Sequence, residues 1–142
     1  MTQALENAVD AIATVLRSVS GLRQVPVNPP ETMSVETFAI VYPSTGSIEI
    51  APIGTRTALH NIAIDVLTTR TDLARNIAAL KPFIDTVANA LMLEVSTGGD
   101  MFSSTIETFG RLSYSWVATD YGGVPVVGYH FVMEETKIQV NL

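Results

Sequence analysis

Cysteine is absent from the 142 residues, which excludes disulfide frameworks, thiolate metal sites and cysteine nucleophiles. Charge is scarce: only 15% of residues are Asp, Glu, Lys or Arg, against about a quarter in an average soluble domain. Apolar residues reach 47%, so the chain can bury a core, and disorder is excluded as its dominant state. Basic residues number 8 against 14 acidic ones, for a net charge of −6. Arg17, Arg23, Arg56, Arg70, Arg75, Lys81, Arg111 and Lys137 are scattered singly, with none of the clustering that a nucleic-acid backbone requires. Long apolar runs are also missing, and Glu6 and Asp10 interrupt the amino-terminal stretch where a secretory signal would be basic and then unbroken. The expectation is a soluble protein made inside the cell, with no membrane contact and one domain over residues 1–142.

Leu5, Val9, Ile12, Leu16 and Val19 step by four and three along one helical face. They predict a helix from about Thr2, its cap, to Ser20, with Gly21 as the stop. Pro26, Pro29 and Pro30 make a rigid connector. Val35 to Tyr42 reads as a strand ending at Pro43, Ser44 to Ser47 as a turn, and Ile48 to Ile50 as a second strand. Ala58 to Thr69 alternates, with His60, Ile62, Ile64 and Val66 on one face and Asn61, Ala63, Asp65 and Leu67 on the other. These three segments predict an antiparallel meander. Leu73, Ile77, Leu80, Ile84, Val87 and Leu91 then predict a second helix, capped at Thr71 or Asp72 and stopped at Gly98 and Gly99. Pro82 falls inside it and should kink or break it. Ile106 to Thr119 and Val124 to Ile138 complete the chain as two long strands. Val127, Tyr129, Phe131 and Met133 form a core face, and Leu112, Tyr114 and Trp116 share a face expected to pack beneath a helix. The fold class is α+β: a mainly antiparallel sheet with two helices packed on one face and a hairpin arm.

Chemistry is hard to find in this pattern. A catalytic or metal role for His60 or His130 needs convergence with a carboxylate such as Asp65 or Glu134 at hydrogen-bond distance. No short metal-ligand spacing is present, so ordinary strand histidines are expected. Glu134 and Glu135 are adjacent and should point to opposite faces. Ser103, Ser104 and Thr105 lack a nucleophile elbow. Gly98, Gly99 and Asp100 follow a helix instead of opening one, so they do not form a phosphate cradle. No catalytic residue, cofactor or metal is expected.

Two stretches differ. Ser44 to Thr57 is apolar for a surface hairpin, and Met101 and Phe102 follow directly on two glycines. Either they fold back on their own core or they cover a neighbour. On the second alternative the interface residues are Ile48, Glu49, Ile50, Pro52, Ile53, Arg56, Met101 and Phe102. In layout and texture, MTQALENAVDAIATVLRSV, DLARNIAALKPFIDTVANAL and YGGVPVVGYHFVMEETKIQVNL resemble small siphophage neck proteins of the tail terminator, or tail-to-head joining, family. The resemblance implies a structural virion protein assembled in the host cytoplasm. It implies a ring, usually a homo-hexamer, that caps the tail tube, ends its polymerisation and meets a head completion or connector protein, while DNA passes through the channel without specific binding. The nearest alternatives are another head-tail connector or tail-completion protein, then a small ligand-binding domain or enzyme built on the histidines.

Overall fold

A computed structural model describes residues 4–19, 37–50, 56–97, 106–108, 110–121 and 123–138. Helix α1 (Ala4–Arg17) is followed by strands β1 (Phe38–Ile50) and β2 (Arg56–Thr69), helices α2 (Leu73–Leu80) and α3 (Pro82–Thr97), and strands β3 (Ile106–Thr108), β4 (Arg111–Tyr121) and β5 (Val124–Ile138). All pairings are antiparallel. The sheet runs β1-β2-β5, and β3 and β4 both lie along the other side of β5. This is an α+β fold with an antiparallel sheet.

The helices cover one face. Val9, Ile12, Leu16 and Val19 are buried together with Leu80, Val87 and Leu91, over Ala39 and Val41 of β1, Ile62, Ile64 and Val66 of β2, and Phe131 and Met133 of β5. The helical step of four and three and the strand step of two thus bring the same sequence stripes into one core. The other face carries a smaller buried cluster of Phe38, Ile40, Leu67 and Val126, flanked by Tyr42 and Val117. Asp72 caps α2 by accepting from the Arg75 amide, and the helix breaks at Lys81. Pro82 then opens α3, at a position where its missing N–H costs nothing. The proposed stops at Gly21, Gly98 and Gly99, the cap at Thr2 and the proline connector lie outside the described residues.

Three expectations are corrected. The single strand expected from Ile106 to Thr119 is two, β3 and β4, which pair with different parts of β5 on either side of its irregular stretch at Glu135. The meander is a two-stranded hairpin instead: β1 continues through Pro43 and Ser44 to Ser47 without turning, and pairs with β2 as far as Ile50 and Arg56. Among the described residues β1 is an edge strand, where a proline removes no ladder bond on its open side. The residue that looked like the start of a turn is absorbed as a bulge between Pro43 and Thr45. Tyr114 and Trp116, in turn, are not beneath a helix. They share the helix-side face with Leu112 through register with Phe131, Tyr129 and Met133, but whereas Leu112 packs against the helix-covered core, Tyr114 and Trp116 are exposed.

Candidate functional site

The arm is a continuation of β1 and β2. Among the described residues the last pairing between β2 and β5 is Leu59 with Lys137, whereas β1 and β2 stay paired through Ile48 with Ala58, Glu49 with Thr57 and Ile50 with Arg56. Among the described residues these three pairs have no β5 partner, and Ala58 is buried in the first of them while Ile48 is exposed. Ile48 is 53% exposed and Leu59 40% exposed. Leu59 stands opposite Ser47 and Ile48 opposite Ala58, so the alternation of a strand puts the two apolar side chains on opposite faces. Glu49, Ile50 and Arg56 occupy the outermost pairs of the ladder. Pro52, Ile53, Met101 and Phe102 lie outside the described residues.

A crease separates the arm from the rest of the sheet. Register shifts fall at one level in neighbouring strands: between Pro43 and Thr45 in β1, and between His60 and Ile62 in β2 where it meets Met133 and Thr136 of β5. The junction of β3 and β4 falls there too, where the Gly110 amide donates to the Glu134 carbonyl at 2.8 Å. Asn61 holds the crease. Its Nδ2 donates to Thr45 Oγ1 at 2.7 Å, its carbonyl accepts from Ser44 Oγ at 2.9 Å, and its Oδ1 accepts from the Glu135 amide at 3.1 Å. Glu135 sits at φ 56°, the left-handed region that a bulge residue can occupy at some cost.

On the face away from the helices, three strands are tied by side chains. Asp65 stands directly across from His130, and its Oδ1 lies 2.5 Å from His130 Nδ1. Its Oδ2 accepts from the Tyr42 hydroxyl at 2.8 Å. The convergence that a working histidine requires is therefore present at His130, with Asp65 as the carboxylate. Glu134 is committed elsewhere: its two oxygens accept from Arg111 Nε and Nη2 at 2.8 and 3.1 Å. The Arg111 hydrogen bond, then the one from Ser113, hold the Glu134 carboxyl below its ordinary range, and the Arg111 guanidinium is raised by the same pairing. Among the described residues no three His, Asp or Glu side chains gather into a metal-binding group. An Asp–His pair fixed at Nδ1 could orient the ring and share a proton.

At the far edge, Trp116 packs edge-on against Tyr129 with centroids 5.2 Å apart, and Tyr114 does so at 5.8 Å. Tyr114 is 56% exposed and Trp116 36%. Residue patterns pointed to Ile48 but not to Tyr42 or Asn61, whose partners come from other strands. Alternation within a strand gives a face, and only the register across strands gives a neighbour.

No family model matches the chain, and no curated protein matches it.

Proposed function

We propose that this chain is a structural protein of the phage neck, a tail-terminator-type subunit that closes into a ring with copies of itself, six in the usual case. On this reading the ring caps the tail tube, ends its polymerisation and joins tail to head, with the tail tube protein on one side and a head completion or connector protein on the other. It performs no catalysis. The observation that carries the reading is the paired end of β1 and β2, which has no β5 partner among the described residues and bears exposed Ile48 on one face and Leu59 on the other. Such a paired end is stabilised by a neighbour's backbone and apolar surface, and a head-to-tail contact whose rotation closes ends in a ring. Six subunits at −6 each would line a channel that repels DNA and lets it slide. Another head-tail connector or tail-completion protein would use the same surfaces. Negative-stain imaging tests the proposal together with a tube-growth assay using tail tube protein. Closed annuli and arrested growth are expected; a subunit that stays single and leaves growth unchanged overturns it.

A second reading, a small ligand-binding domain or enzyme, has one observation in its favour, the Tyr42–Asp65–His130 network. Replacing His60 and His130 together by alanine separates the two. Assembly survives under the structural reading, and binding or turnover is lost under the other.

A further inference from the structure

β4 bears exposed Tyr114 and Trp116, and the outer part of the β1–β2 ladder bears exposed Ile48 and Leu59. We propose that the helix-side face of β4, with Tyr114 and Trp116 at its centre, is the seat for the hairpin arm of a second copy of this chain. The inference rests on the assembly reading above and adds to it the surface that receives the arm.

Several observations single out this seat and this occupant. Among the described residues β4 pairs with β5 alone, so none of them pairs with its outward row of backbone groups. Beside that row stand Tyr114 and Trp116, both exposed. Their edge-on packing against Tyr129 fixes both rings before any partner arrives, which lowers the ordering cost of binding. Exposed, pre-positioned Trp and Tyr are the residue types that dominate interface energetics.

The arm supplies the complement: an edge strand, β1, with Ile48 exposed on one face, and Leu59 of the paired strand β2 exposed on the other. Whichever way the strand is laid along β4, one apolar side chain falls on the aromatic side. A subunit cannot place its own arm there. Trp116 is level with Tyr129 and hence with Val66 of β2, while Ile48 is level with Ala58. Those eight residues along β2 are about 26 Å at ~3.3 Å per residue, and the two strand spacings from β2 to β4 add about 10 Å across the sheet.

Charge points to the same pairing. Copies carrying −6 repel unless they meet through uncharged patches. β4 from Leu112 to Thr119 is such a patch, and Arg111 at its end is already held by Glu134; the outer pairs of the arm carry Glu49 and Arg56, one charge of each sign. Because the arm leaves from one edge of the sheet and the seat lies on the other, the contact is head-to-tail and can propagate around a ring.

The absence of cysteine allows a direct test. Ser47→Cys places a thiol on the arm and Ser115→Cys one on β4, both at exposed positions. With a short bismaleimide, a mixture of the two single variants is expected to give the mixed dimer, and the double variant a ladder ending in a closed species. Tyr114→Lys with Trp116→Lys is expected to raise the concentration needed for assembly at least about tenfold while the monomer stays folded by circular dichroism, with a melting temperature lowered by the lost packing on Tyr129. Met92→Lys with Leu93→Lys, on α3, is expected to change neither. An assembling wild-type protein that cross-links only arm to arm, or not at all, or that loses assembly through the α3 pair instead, overturns this proposal and leaves the assembly reading standing. A wild-type protein that never self-associates overturns both.

Discussion

Gly128 shows how closely two strands can approach when a side chain is missing. A Cβ built there would lie 1.9 Å from the carbonyl oxygen of Val66 and 2.9 Å from Cα of Leu67, both backbone atoms that cannot swing aside. Gly128→Ala must therefore part β2 from β5 in the middle of their ladder, and we expect a loss of about 3 kcal/mol or more in denaturant unfolding. Glu134 gives a pH signature. Its carboxyl titrates lower in the folded than in the unfolded chain because Arg111, then Ser113, donate to the ionised form. The unfolded state therefore takes up the proton first as pH falls. The contribution is complete above the ordinary glutamate value of 4.5 and disappears as pH drops through the lower folded value. The pair is solvent-exposed, so Glu134→Gln is expected to lower the melting temperature only slightly at neutral pH, and to converge with wild type in acid. Neither behaviour was legible in the sequence. A glycine in a strand and a pair of adjacent glutamates look ordinary until the opposing strand is known.

The elements were legible to very different degrees. Apolar steps of four and three fixed both helices, and Pro82 announced the break because a proline that cannot continue one helix can begin the next. Alternation located β2, β4 and β5 along with the buried face of Phe131 and Met133. Pro43 through Ser47 misled, because proline, serine and glycine mark a turn and an edge-strand bulge with the same letters. Tyr114 and Trp116 misled for a different reason: two-residue spacing assigns a face but not the reach of the helices above it. The crease lay beyond sequence, being a property of several strands at one level. Asn61→Ala removes its side-chain bonds to Thr45 Oγ1 and the Glu135 amide. Each is part-exposed, so a combined loss of about 1–2 kcal/mol is expected, read in thermal melts, with the arm rather than the helical core showing the shifted amide resonances.

At the scale of the molecule, low charge, a strongly apolar composition and a projecting hairpin suit a subunit whose neighbours are copies of itself. Apolar contacts between like-charged bodies have a characteristic response to salt. Screening shortens the repulsion, from a Debye length of about 30 Å at 0.01 M to ~8 Å at 0.15 M, while burial of Ile48, Tyr114 and Trp116 is little affected. We expect the assembled fraction in sedimentation to rise over that range, the opposite of an interface built on ion pairs. The aligned register shifts carry one further consequence, for the time domain. Ladder cooperativity cannot pass undiminished through a line where adjacent strands slip together, so amide deuteration should divide the sheet into two compartments. Protons near Ile64 and Phe131 would exchange only with global unfolding, and those from Gly46 to Ile48 in a smaller, faster opening of their own. A subunit of that kind holds a rigid body while its projection samples the orientations that docking requires.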